Sequence, residues 1–196
     1  MAAYGSYAIN NFLLMADVDF TKVNGDVDQY NAAGTLKGDF DTMVFTLGFK
    51  GKYTFKLSAL DIAPHAGIRY SYYDIGSDNI KYGKEELKNK SLDAKVLYLP
   101  VGVAFSKDVK VDNWSIRSVC DLELIAATGD TDVTSKVVAS GVELSAKSDV
   151  VDKFSYSGKL GVNFENGNFG LGLGYRYLGS KNVNNHNVYL TARYTF

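Results

Sequence analysis

Asn185-His186-Asn187-Val188-Tyr189-Leu190-Thr191-Ala192-Arg193-Tyr194-Thr195-Phe196 closes the chain, and its reading decides the fold. From Val188 onward every second residue is apolar. Val188, Leu190, Ala192, Tyr194 and Phe196 share one face, and Tyr189, Thr191, Arg193 and Thr195 share the other. Successive side chains of a strand point to opposite sides, so this period of two predicts a strand with one apolar and one polar face.

The same pattern recurs upstream. Phe169, Leu171, Leu173, Tyr175 and Tyr177 alternate with Gly170, Gly172, Gly174 and Arg176, and Phe154, Tyr156, Leu160, Val162 and Phe164 alternate with Ser155, Ser157, Lys159 and Asn163. Further alternating segments run over Trp114–Leu124, Leu97–Phe105, Leu60–Tyr72, Met43–Phe55 and Phe12–Phe20, and a short first one over Tyr4–Ile9. That makes nine strands with no linker between them, so residues 1–196 read as one domain. The connections differ in length by turns. Asn10-Asn11, Lys56 to Ala59, Lys107 to Asn113 and Glu165 to Asn168 are short; Val23 to Asp41, Ile75 to Asp93 and Thr128 to Asp149 are long and polar. Tight turns at one rim and long loops at the other describe an antiparallel, up-and-down transmembrane β-barrel.

Alternation alone does not say which face meets water, but three features put lipid outside. Charges of both signs, Lys50, Arg69, Arg117, Asp121, Lys159, Arg176 and Arg193, fall on the polar faces deep within strands, where a hydrated interior tolerates them and a lipid-facing wall does not. Aromatic residues gather toward strand ends, where interfacial girdles need them. The segments run to about ten residues, enough for a tilted strand to cross hydrocarbon. Composition agrees: 14 Tyr, 11 Phe and 19 Gly stand against 2 Pro. No apolar run approaches the ~20 residues of a membrane helix. The net charge of −1 gives no reason to expect nucleic acid, and a single cysteine, Cys120, excludes an internal disulfide framework.

The segment Leu60-Asp61-Ile62-Ala63-Pro64-His65-Ala66-Gly67-Ile68-Arg69-Tyr70, the hairpin from Gly158 to Glu165 and Asn168 to Gly174, and the closing strand to Phe196 together resemble the C-terminal β-barrel translocator of autotransporters (type V secretion). The resemblance spans most of the sequence. It implies a bacterial outer-membrane location with the long loops at the cell surface. It also implies anchoring for an N-terminal passenger carried in cis, and a monomer that contacts outer-membrane lipid and the barrel assembly machinery. Barrels of that family have about twelve strands, preceded by a helix in the pore. With nine strands here, no such helix and no leader in Met1-Ala2-Ala3-Tyr4, the expectation is that the first strands, helix and passenger lie upstream. The alternative is a self-contained small outer-membrane barrel, an adhesin or porin-like protein, using its loops for surface binding.

No residue set promises catalysis, a cofactor or a metal. His65 and His186 lie on different segments, and His65, beside Asp61 and Arg69, reads as a hydrogen-bonded inner-wall residue with no nucleophile in reach. Gly170-Leu171-Gly172-Leu173-Gly174 alternates as a strand does and opens no helix, so it is no nucleotide loop. Cys120 reads as a small apolar residue facing lipid. The candidate functional surface is the inner wall: Asp17, Lys50, Arg69, Arg117, Asp121, Glu123, Lys159, Arg176 and Arg193. Two readings of it stand side by side, a polar track for a translocating segment and cross-strand ion pairing that stabilises a filled barrel. Tyr194 and Phe196 are the expected assembly signal, a terminal strand able to add to another sheet's edge.

Overall fold

The computed structural model describes the backbone of residues 1–31, 34–76, 79–82, 85–89, 92–139 and 142–195; Phe196 of the expected assembly signal lies outside the described residues. The strands in chain order are β1 (Ala2–Ile9), β2 (Phe12–Asn31), β3 (Gly34–Tyr53), β4 (Phe55–Lys56), β5 (Asp61–Ile75), β6 (Asn79–Tyr82) and β7 (Glu85–Asn89). They continue as β8 (Leu92–Val111), β9 (Trp114–Gly129), β10 (Asp132–Ala139), β11 (Val142–Asp149), β12 (Phe154–Asn166), β13 (Phe169–Ser180) and β14 (Asn184–Tyr194). The chain is all-β. Its nine alternating segments become β1, β2, β3, β5, β8, β9, β12, β13 and β14, each antiparallel to the next in that order. Among the described residues β1 pairs only with β2 and β14 only with β13, so these strands form a curved stretch of barrel wall with two edges.

At one rim, three connections among the described residues are two-residue turns. The last paired residues are Ile9 with Phe12, Val111 with Trp114 and Asn166 with Phe169. The first turn residue has φ of 52° at Asn10, 52° at Asp112 and 56° at Gly167. Asn, Asp and Gly adopt this left-handed conformation with least strain, and it matches the strands' own twist. The connection expected over Lys107 to Asn113 is therefore strand as far as Val111.

At the other rim the expected long loops are largely hairpins. The stretch Val23 to Asp41 continues β2 and β3, which stay paired from Phe12–Tyr53 to Asn31–Gly34. Ile75 to Asp93 contains β6 and β7, and Thr128 to Asp149 contains β10 and β11. These pieces pair with one another in the order β3, β6, β7, β10, β11, extending the wall past the rim. Polar composition signals contact with water. It does not stop the backbone from satisfying its own hydrogen bonds in a ladder.

The burial pattern is that of a soluble protein turned inside out. The buried apolar residues Ala63, Ala94, Val96 and Ala104 share the inner face with the charges, by strand parity. The large apolar side chains point outward and are open: Leu124 is 70% exposed, Leu190 69% and Leu160 56%. Soluble monomers rarely leave so continuous an apolar face to water, and such a face marks contact with a membrane or a partner. No helix among the described residues is long and apolar enough to cross a membrane.

Outward aromatic residues recur at both ends of the strands. Phe12 and Phe20 on β2, Phe45 and Tyr53 on β3, and Phe169 and Tyr177 on β13 each stand eight positions apart. Eight residues span about 27 Å along a strand, or roughly 21 Å of depth at the usual barrel tilt, close to the ~25 Å apolar band of such proteins. Tyr53 and Phe55 pack edge to face at 4.8 Å between centroids, and Tyr156 lies 5.8 Å from Tyr177.

Asp152 ties down the last connection at the hairpin rim. It accepts from the Ser180 hydroxyl at 2.5 Å, from the Asn182 backbone N–H at 2.8 Å and from the Asn182 side-chain amide at 2.7 Å. Donation from Ser180, then from the Asn182 backbone, holds the Asp152 carboxyl below its ordinary value of 3.8. A lowered carboxylate pKa stabilises the fold above the ordinary value, and that contribution is lost as pH falls through the lowered one. Exchange protection of the Asn182 amide should therefore be steady near neutrality and fall in strong acid. In Asp152→Ala, which removes the acceptor, protection should be weak at every pH. Protection that falls with acid equally in both proteins would refute the clasp.

Candidate functional site

The inner faces of β3, β5, β8, β9, β12, β13 and β14 enclose a polar concavity of about 870 Å³. Thr46, Lys50, Arg69, Tyr98, Asp121, Glu123, Lys159 and Arg176 are among its lining residues. They reach it by parity: each lies an even number of residues from its strand's other inward positions, while the odd positions carry the outward apolar side chains.

Glycines set which charges meet. Asp17 on β2 and Arg69 on β5 lie on either side of Gly48 on β3, in register. A Cβ at Gly48 would stand 2.6 Å from Asp17 Oδ1. Its absence lets the carboxylate lie across β3, where Arg69 Nη2 donates to Asp17 Oδ2 at 2.7 Å. The same device operates at Gly102 on β8, in register between His65 on β5 and Glu123 on β9. A Cβ there would meet Leu122 O at 2.4 Å and His65 Cε1 at 2.5 Å. The imidazole therefore crosses β8, and its Nε2 hydrogen-bonds Asp121 Oδ1 at 2.9 Å.

His65 Nδ1 is 3.6 Å from Glu123 Oε2, in electrostatic range but too long for a hydrogen bond, and it has no hydrogen-bond partner among the described residues. Lys50 from β3 closes the group with an ion pair to Glu123. Lys50, His65, Asp121 and Glu123 thus form one network across four strands, with the His65 side chain 2% exposed. Hydroxyl pairs continue the wall: Thr46 with Ser71 at 2.9 Å and Tyr73 with Tyr98 at 2.6 Å. Tyr73 extends the inner face of β5 one step of the same period beyond the alternating segment that ends at Tyr72.

The remaining expected residues separate into two groups. Arg117 lies near the two-residue turns, 3.8 Å from Asp108 and donating to Ser106 at 3.3 Å. Arg193 donates to Glu165 at 2.8 Å, an exposed pair at the same rim. Neither joins the central network. Lys159 and Arg176 do face the concavity and are directly opposite each other in register. Lys159 lies 5.6 Å from the centre of the Tyr189 ring. Asp121, opposite Lys159 on β9, is engaged with His65. Tyr194 points outward with Ala192 and Leu190, and is 60% exposed. Cys120 also faces outward, between Phe105 and Leu160.

This arrangement holds charge through ion pairs and hydrogen bonds between strands. His65 is hydrogen-bonded to the Asp121 carboxylate and lies 3.6 Å from that of Glu123, and no hydroxyl or thiol among the described residues hydrogen-bonds it. No group of three or more metal-binding side chains occurs among the described residues.

The autotransporter β-domain family model matches residues 1–176. Among solved structures, the chain is similar to the translocator domain of the autotransporter NalP from Neisseria meningitidis, with a TM-score of 0.72 at 16% identity. The alignment covers 100% of this chain and 64% of that one, so the chain spans about two thirds of the solved domain's length. No curated protein matches in sequence.

Proposed function

This chain belongs to the autotransporter β-domain family, whose members are outer-membrane translocators, and on that premise we propose that it carries a passenger segment in cis through its interior to the cell surface. The observation that carries this reading is the pair Lys159 and Arg176. Two like charges face each other across β12 and β13, and neither has an ion-pair partner among the described residues. Such a pair is destabilising unless something anionic or strongly polar lies against it. A polypeptide segment within the concavity, offering carboxylates and backbone carbonyls, meets that need. The paired residues Asp17, Arg69, Lys50, His65, Asp121 and Glu123 hold the wall's shape beside it.

Further strands of the same polypeptide would pair with the edges of β1 and β14 and close the wall, since in lipid each unpaired backbone group costs several kcal/mol. The rim of long hairpins then faces the cell surface and the two-residue turns face the periplasm. The C-terminal strand with Tyr194 and Phe196 is recognised by strand addition to the assembly machinery. Transport of this kind needs no cofactor; folding and the partner machinery supply the free energy.

The test is an immunoblot of outer membranes from intact cells before and after external protease. The reading expects a species well above 21.5 kDa that protease shortens from outside. A species of 21.5 kDa untouched by protease would overturn the passenger and favour the self-contained barrel.

A further inference from the structure

Among the described residues, outward-facing charge on the paired strands is confined to the hairpin rim, with one exception. Lys22, Asp74, Asp93 and Lys95 point outward at or beyond the level of Phe20 and Tyr72. Lys107 also points outward, sharing the face of Leu99, Val101 and Phe105, yet it lies ten residues along β8 from Leu97, the partner of Tyr70. Ten residues cover about 34 Å of strand, or roughly 26 Å of depth at the usual tilt. Lys107 therefore stands at about the depth of the aromatic belt on the side of the two-residue turns, with Val109 and Val111 continuing the outward face beyond it. No carboxylate among the described residues pairs with it.

A lone lysine at this depth needs no partner if its stem simply reaches toward water. Two further features distinguish the place. Ser118 on β9 is directly opposite Lys107 and shares its outward face, so it brings a short hydroxyl-bearing side chain to the same place. Immediately toward the membrane centre the outer wall is indented. An apolar groove of about 800 Å³ runs along Phe105, Cys120, Leu160, Leu173, Tyr175 and Val188, and Lys107 and Ser118 line its end. The small Cys120 side chain between Phe105 and Leu160, in register with both, forms its floor.

We infer that this face binds one phospholipid of the leaflet nearest the two-residue turns. Lys107 and Ser118 hold its phosphodiester, and an acyl chain lies in the groove over Cys120. The charge selects the ligand. A cation and a hydroxyl donor match an anionic phosphate, and an adjoining apolar slot matches a chain joined to it. A headgroup with its own ammonium competes with Lys107 for that phosphate, so the site prefers an anionic phospholipid. This inference rests on the membrane reading above.

The test is native mass spectrometry of the membrane-extracted polypeptide that carries this chain. It is delipidated in mild detergent and then given phosphatidylglycerol or phosphatidylcholine. Wild type should retain one phosphatidylglycerol about tenfold more strongly than phosphatidylcholine, a difference of ~1.4 kcal/mol. Lys107→Gln should remove that preference. Cys120→Phe, which fills the groove, should weaken retention of both lipids, and Lys95→Gln at the far rim should change nothing. Equal retention of the two lipids by wild type, or an undiminished preference in Lys107→Gln, would overturn the site. If the polypeptide is missing from the outer-membrane fraction, the membrane reading itself fails. Each variant's folding is checked independently by its compact migration in unheated gels.

Discussion

Leu160→Arg is expected to destabilise the folded chain in a bilayer by about 2–4 kcal/mol, the usual cost of arginine at the lipid-facing midplane of a barrel. Leu160 lies near the middle of β12, is 56% exposed and points outward beside Cys120 and Tyr175. In a water-soluble sheet an exposed leucine could become arginine with a change inside about 0.5 kcal/mol, because no contact is lost and a charge is welcome. The large effect thus comes entirely from lipid on that face. Urea unfolding in lipid vesicles measures it. Ser157→Arg on the inner wall of the same strand serves as the comparison, since it faces the hydrated concavity. Equal and small effects at both positions would mean that the outer face does not meet hydrocarbon.

Glu123→Ala should cost about 3 kcal/mol, within the range found when one member of a buried ion pair is removed. Glu123 is 11% exposed at its side chain and lies between Lys50 and His65. Without it Lys50 keeps its charge with no counter-ion, while His65 retains only Asp121. Arg193→Ala, which breaks the pair with Glu165 at 69% and 54% exposure, should cost less than about 1 kcal/mol because water screens it. The two variants are compared by urea midpoint at one pH and salt concentration. If Arg193→Ala cost as much as Glu123→Ala, burial would not be what gives the central network its strength.

Much of this was legible in the residues. The run from Val188 to Tyr194 and its eight counterparts alternate because each strand has one lipid face and one inner face, and that property belongs to a single strand. Parity alone therefore placed Lys50, Arg69, Asp121, Glu123, Lys159 and Arg176 on the inner wall and Cys120 outside it. Of the hairpins at the far rim, the residues raise only one as an alternative to a loop, near Val133 to Ala146, where β10 and β11 form; the others read as loops. Asp, Lys, Asn and Ser report that a segment meets water, and a segment can meet water while paired, as β10 and β11 do.

Which charges join was a matter for the tertiary structure. Asp17 and Arg69 are 52 residues apart, and His65 and Asp121 are 56 apart. Nothing in either local pattern marks the partner. Their meeting depends on the register of three or more neighbouring strands, and on Gly48 and Gly102 falling where a side chain must cross the intervening one. Lys107 makes the same point on the outer face: its sequence neighbours read as a turn, and only the length of β8 turns it into an outward cation beside a groove. The strands and their two faces could be read from the residues, because periodicity is local, and the charges and aromatic rings on those faces pointed to the solvent of each. Pairing decided the network, the groove and the hairpin wall, because register is shared among strands and no one strand contains it.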